Sequence, residues 1–182
     1  EIAIDQFIYE LKRAERLNKK RDEKRFHKLI NKYPFLIKRD NYAKHYYEER
    51  LHYEESKYFE PDYMLIPNFN QRTDLSVLEI KLPTEGFIKK TSFHASPYSK
   101  FITHLFQVND YKEYLESDEY RRTIKKVFGF SPDSFEFNLL IGRREGLDFD
   151  RDLLIKRMRQ FNQSFVNLIT YDDLLDYQVK FL

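Results

Sequence analysis

The chain has 182 residues, no cysteine and a net charge of +2. Its length suits one domain with its own core, and the lack of cysteine excludes disulfides and thiolate metal sites. No apolar run approaches the roughly 20 residues of a membrane helix, and no signal peptide is visible, so a cytoplasmic protein with no membrane partner is expected.

Residues from about Asp5 to Asn31 read as helix. They hold no Gly or Pro, and Phe7, Ile8, Leu11 and Ala14, then Phe26, Leu29 and Ile30, keep helical spacing. Pro34 closes this region, which divides the chain into an N-terminal helical segment, 1–34, and a main domain, 35–182. The chain starts at Glu1 rather than Met and is read as part of a longer protein, with a sensing region expected before it.

The stretch from Tyr42 to Ser56 is aromatic and charged, and reads as a strand despite imperfect alternation. "KYFEPDYMLIP" and "LSVLEIKL" are clearer strands, and the polar "NFNQRTD" between them predicts an antiparallel hairpin. A long irregular stretch follows, "PTEGFIKKTSFHASPYS". Helical spacing returns in "KFITHLFQVNDYKEYLES" and in "DEYRRTIKKVFG", the second ended by Gly129. "SFEFNLLIG" is a strand, "DRDLLIKRMRQFNQ" a helix with Asp150 as cap, "SFVNLIT" a strand and "YDDLLDYQVKF" a closing helix. Early strands pair locally and later ones arrive through helical crossovers. The expected fold is therefore α/β (α+β), a mixed central sheet flanked by helices.

Charge is unevenly spread. Lys12 to Arg25 carries eight basic and three acidic residues, and Arg121 to Lys126 four basic and no acidic ones. Such runs are either solvated helix faces or local attractors of phosphate.

The oddest polarity lies in "LSVLEIKLP", Leu75 to Pro83. Side chains alternate along a strand, so Leu75, Val77, Glu79 and Lys81 share one face, opposite Ser76, Leu78, Ile80 and Leu82. A strand apolar on both faces whose charges emerge at its end is central, and those charges need partners or a cation. On the preceding strand, Asp62 shares a face with Glu60, Met64 and Ile66. In a hairpin, Asp62 falls beside Glu79. Two close carboxylates raise each other's pKa unless a divalent cation sits between them, and a few hard oxygen ligands suit Mg²⁺ or Mn²⁺. The alternative reading is a solvated patch or a cross-strand ion pair between Glu79 and Lys81. Gln107 and Tyr111, four apart on a helix, share a face. The five histidines form no recognised metal spacing. His104, one turn before Gln107, either faces the same cleft or is a surface or core-edge residue.

Pro61–Asp62, sixteen intervening residues, then Glu79-Ile80-Lys81 resembles the PD-(D/E)xK nuclease motif. That superfamily has a restriction-endonuclease-like core of order α-β-β-β-α-β, here with C-terminal additions. "FHKLINKYPFLI", "EPDYMLI", "VLEIKLP", "QVNDYKEYL", "NLLIGR" and "NLITYDDLL" resemble, in that order, segments of the Shedu anti-phage defence proteins, from about Phe26 to Leu175.

The resemblance implies a metal-dependent deoxyribonuclease, the effector domain of a bacterial antiviral protein, with DNA as partner and a homo-oligomeric state. It implies Asp62, Glu79 and the Ile80 carbonyl as ligands of Mg²⁺ or Mn²⁺. Lys81 would orient the attacking water and counter charge on phosphorus, and Gln107 would bind water or the phosphate backbone. Tyr111, on the same helix face, and His104 are candidate further site residues, and such nucleases often carry another early acid, for which Glu48, Glu49, Glu54 and Glu55 are candidates and Glu49 is preferred. Two other functions stay open: a non-catalytic nucleic-acid-binding or oligomerisation module on the same fold, and a nuclease acting on RNA.

Overall fold

The structure, a computed structural model, describes residues 1–17, 23–38, 42–68, 74–89, 94–148 and 150–180. The N-terminal region holds α1 (Ile2–Leu17), α2 (Glu23–Lys32) and the single turn α3 (Phe35–Lys38). The expected helix from Asp5 to Asn31 is thus two helices. Phe7 and Phe26 pack with ring centroids 6.1 Å apart, whereas a straight helix would hold them about 28 Å apart at 1.5 Å per residue. The chain therefore folds back between α1 and α2, and both apolar stripes reach the same core.

Next come β1 (Tyr42–Tyr47), β2 (Leu51–His52), β3 (Tyr58–Phe59), β4 (Tyr63–Pro67) and β5 (Asp74–Ile80). The expected strand from Tyr42 to Ser56 is broken at Glu48, whose φ of 49° is left-handed. The "KYFEPDYMLIP" strand is broken as well, around Pro61, which has no N–H to give a ladder. Its first part, β3, pairs with β2 in a two-stranded ribbon. The Glu48 amide donates to the Asp62 carbonyl at 3.1 Å and closes the ribbon's base. Phe59 packs on Tyr111 and Tyr114, and the Tyr114 hydroxyl donates to the His52 carbonyl, which pins the ribbon to the helix beneath it.

The hairpin of β4 and β5 is antiparallel, as expected, with Tyr63 opposite Leu78, Met64 opposite Val77 and Leu65 opposite Ser76. Most of the expected "NFNQRTD" turn lies outside the described residues. The stretch expected to be irregular contains a small antiparallel pair, β6 (Ile88–Lys89) and β7 (Ser96–Pro97).

Then follow α4 (Ser99–Glu116), α5 (Arg121–Phe128), β8 (Ser134–Leu140), α6 (Arg144–Asp148), α7 (Arg151–Gln160), β9 (Val166–Ile169) and α8 (Tyr171–Val179). Gly129 ends α5 at φ 82°, a left-handed position that favours glycine. Asp150 occupies the cap position of α7, but its side chain makes no capping bond. Thr170 and Asp173 form a reciprocal capping box on α8. The short α6 was not anticipated.

The main sheet runs β1-β4-β5-β8-β9. β5, β8 and β9 are parallel, and β1, β4 and β5 antiparallel. The fold is a mixed five-stranded sheet flanked by helices. Leu75 and Val77 of β5 face one core with Met64, Phe101, Leu105, Val108 and Phe137. Leu78 and Ile80 face the other, with Phe7, Phe26, Ile30, Leu36 and Tyr171. Each such side chain, fully buried, contributes about 1.5–3 kcal/mol. This two-sided packing fixes which face the polar residues at the end of β5 must take.

Candidate functional site

Continuing the β4–β5 register by one step sets Asp62 opposite Glu79. The two residues are interlocked. The Ile80 amide donates to Asp62 Oδ2 at 2.7 Å, and the Asp62 amide donates to Glu79 Oε2 at 3.4 Å. Glu79 continues the face of Leu75 and Val77, so its carboxylate points at α4 and is only 2% exposed.

A buried carboxylate needs donors, and Glu79 has four. Lys81 Nζ and Gln107 Nε2 each donate to Oε1 at 2.7 Å. Tyr111 donates its hydroxyl to Oε2 at 3.2 Å, beside the Asp62 amide. Gln107 also donates to the Tyr111 hydroxyl at 2.7 Å. The residues read from the sequence as Asp62, Glu79, Ile80, Lys81, Gln107 and Tyr111 thus form one hydrogen-bonded cluster at the junction of β4, β5 and α4.

Its electrostatics follow from burial. Burial, and then the charge on Glu79, push the Asp62 carboxyl well above the usual range; Lys81 and the Ile80 amide pull the other way. Burial lowers the Lys81 pKa, but Glu79 and Asp62 outweigh it, and the net shift is upward. Lys81 is therefore an ammonium at neutral pH. Behind it, Tyr171 donates its hydroxyl to the Lys81 carbonyl at 2.7 Å.

Two further residues come from α2 and were missed. His27 Nε2 lies 3.7 Å from Asp62 Oδ1, and its ring stacks on Tyr63 at 6.0 Å. Burial lowers its pKa, and its Nδ1 is buried without a partner among the described residues. Glu23 opens α2, and burial raises its pKa. Lys81 lowers that pKa, while Glu79 and Glu85 raise it further, so Glu23 lies within electrostatic reach of the cluster. The signal was the i, i+4 spacing of Glu23 and His27, which puts them on one helix face. Glu49, expected as the early acid, is half-buried on the loop after β1, and among the described residues it makes no hydrogen bond or ion pair with Asp62 or Glu79. Two early acids lie within electrostatic reach of this region: Glu23 of α2, which acts on Asp62, and Glu48 at the end of β1, which acts on His27. His104 sits near this cluster but pairs with Glu85, at 2.8 Å.

Among the described residues, no three His, Cys, Asp or Glu side chains are arranged to hold a metal ion. The donor set for a cation is narrower: two carboxylates and a backbone carbonyl. That set fits a hard divalent ion that keeps much of its water. The raised pKa of Asp62 points the same way, since its charge lacks full compensation. Asp62 Oδ1 and Glu79 Oε2 are the least engaged oxygens.

A cavity of about 430 Å³ lies elsewhere, between α7 and β9, lined by Arg151, Ile155, Met158, Arg159 and Val166 among others. On α5, Arg121, Arg122, Lys125 and Lys126 are exposed, with Arg121 paired to Asp118. The basic run from Lys12 to Arg25 lies partly outside the described residues; Arg13 and Arg25 both pair with Glu10. Among the described residues no helix is long and apolar enough to cross a membrane.

A search of curated proteins gives no match. The family model of the Shedu protein SduA C-terminal region matches residues 20–175. That span starts just before α2, which supplies Glu23 and His27, takes in both hairpin strands and α4, and ends within α8. It covers 156 of the 182 residues, and by this match the chain belongs to the Shedu protein SduA C-terminal family.

Proposed function

We propose that this domain is a divalent-metal-dependent nuclease that hydrolyses DNA phosphodiester bonds, the effector part of a bacterial anti-phage defence protein. The observation that carries the reading is Asp62 held opposite Glu79, with Lys81 bound to the Glu79 carboxylate at 2.7 Å. In this reading the sheet and α4 are a restriction-endonuclease-like core, and the protein acts as a homo-oligomer in the cytoplasm. Asp62, Glu79 and the Ile80 carbonyl would hold Mg²⁺ or Mn²⁺. When bound, such an ion polarises the phosphoryl group and lowers the pKa of a water.

The protein's own residues do the rest. Lys81, an ammonium held between carboxylates, cannot take a proton from water. It orients that water and offsets the negative charge that grows on the phosphoryl oxygens. Gln107 and Tyr111 fix the Glu79 rotamer before substrate arrives, and this preorganisation is worth more in a dry site than in water.

The test uses linear and circular duplex DNA, with Mg²⁺ or with EDTA, and compares the protein with Lys81→Ala. Cleavage that needs Mg²⁺ and Lys81 supports the reading, and cleavage indifferent to both overturns it. RNA of the same sequence separates a ribonuclease from a deoxyribonuclease. A second reading, a non-catalytic nucleic-acid-binding or oligomer-building module, draws on the four donors that saturate Glu79. It predicts that DNA binds without cleavage and that Mg²⁺ leaves thermal stability unchanged.

A further inference from the structure

The cluster-facing side of α4 carries three polar side chains, His104, Gln107 and Tyr111, at i, i+3 and i+7, which is one stripe of a helix. Gln107 and Tyr111 both end on Glu79. His104 ends on Glu85, in the loop leaving β5, with Nε2 2.8 Å from Oε2. These side chains are 10% and 8% exposed. Lys100, one turn earlier on α4, also reaches Glu85. Burial pushes the Glu85 carboxyl up, but its bonds to His104 and Lys100 hold it below the usual range. Glu85 is therefore an anion that orients a histidine.

This pair adjoins the Asp62–Glu79 cluster along the stripe of α4 that carries Gln107 and Tyr111. Glu23 lies within electrostatic reach of both, since Lys81, Glu79, Glu85 and His104 all act on its carboxyl. His104 is one helical turn, about 5 Å along the axis, from Gln107. Among the described residues, the charged groups around His104 include Glu85 from the loop, Lys100 from its own helix and Glu23 from α2.

Phosphodiester hydrolysis moves two protons, one off the attacking water and one onto the leaving oxygen. Asp62 and Glu79, once they hold a cation, have no proton to give, and Lys81 is committed to Glu79. Histidine is the side chain that exchanges protons near neutral pH, and a carboxylate at one ring nitrogen fixes its orientation. We propose that His104, oriented by Glu85, is the general acid that protonates the leaving oxygen; this rests on the nuclease reading.

In this step the water oxygen bonds to phosphorus and releases its proton to solvent. The bond from phosphorus to the bridging oxygen breaks, and its electron pair stays on that oxygen. That oxygen takes a proton from His104 Nδ1, the nitrogen not held by Glu85, directly or through one water, and leaves as a hydroxyl. The imidazole regains its proton from solvent.

The test compares ordinary DNA with DNA carrying sulfur at the bridging position of the scissile bond, a leaving group that needs no protonation. Wild type, Lys81→Ala, His104→Gln and Glu85→Gln are assayed with Mg²⁺ under single-turnover conditions. His104→Gln should cleave ordinary DNA about 100-fold more slowly, at the lower end of general-acid effects, and the sulfur substrate within about threefold of wild type. Glu85→Gln should lose less on ordinary DNA and also spare the sulfur substrate. Wild type alone gives a second readout: the alkaline limb of its pH–rate profile is present with ordinary DNA and absent with the sulfur substrate. Equal slowing on both substrates, or a wild-type rate for His104→Gln, overturns the His104 assignment while Lys81→Ala still reports on the nuclease. If wild type and Lys81→Ala behave alike, the nuclease reading fails and this assignment falls with it.

Discussion

Gln107 and Glu79 meet at 2.7 Å across the junction of α4 and β5, and the same amide nitrogen reaches Tyr111 at 2.7 Å. One side chain therefore sets both the carboxylate and the hydroxyl that holds its other oxygen. Replacing Gln107 with Leu should leave a buried acceptor short of a donor, at a cost of about 1–3 kcal/mol. In the nuclease reading it should also weaken Mg²⁺ dependence by about 10- to 100-fold, the usual effect of losing a partner that orients a ligand. A Mg²⁺ titration of cleavage measures this, and an unchanged half-saturation point removes Gln107 from the site.

Asp62 carries a different expectation. Its folded pKa is raised by burial and by Glu79. The folded state thus holds that proton more tightly than the unfolded chain, and stability falls as pH rises from about 4 through the raised value. Without metal, Asp62→Asn should melt higher than wild type at pH 8, and the gap should close toward pH 4. Melting temperatures in EDTA at several pH values decide this, with about 2–4 °C expected per kcal/mol. A variant that melts lower than wild type throughout would show that Asp62 stabilises the metal-free fold.

Asp172 behaves oppositely. Arg143 donates to it from Nε and Nη2, and this pairing holds its pKa below the ordinary value. Its contribution is complete above the unfolded pKa of about 3.9 and is lost as pH falls through the depressed folded value. Asp172→Asn should therefore lower the melting temperature at pH 7 and differ little from wild type near pH 2. A deficit of the same size at both pH values would assign the effect to packing instead.

The N-terminal helices should not be dispensable. Phe7 and Phe26 are 1% and 0% exposed and pack with Tyr171 at 5.9 and 4.7 Å. Removing residues 1–34 uncovers one face of the sheet, and Phe26→Ala alone should cost about 3–5 kcal/mol. Urea unfolding of the two proteins checks this. A truncated chain that unfolds with wild-type cooperativity would make residues 35–182 independent.

The central hairpin was legible because alternation fixes faces and a short connection fixes pairing, so Asp62, Glu79 and Lys81 could be placed together before any coordinates. Gln107 and Tyr111 were legible as a helical pair. Glu23 and His27 were not, because their approach depends on α2 folding back on α1, and no Gly or Pro marks that reversal. Glu49 drew attention as an acid of the early segment, but the left-handed turn at Glu48 carries the chain into the ribbon. Asp150 had the right residue type for a cap, yet its side chain makes no such bond, and composition does not settle that geometry. The partner of His104 is a loop acid, Glu85, which no periodicity singles out.

Tyr171 opens α8, lies on Phe7 of α1 and Phe26 of α2, and donates its hydroxyl to the Lys81 carbonyl at 2.7 Å. The backbone that carries the ammonium is thereby clamped to the first helix and the last. A force on α1 would act through the ring stack on Lys81 and not be absorbed in a loop. The aromatic trio is in mechanical terms a bracket, which ties the back of the sheet to the backbone of Lys81.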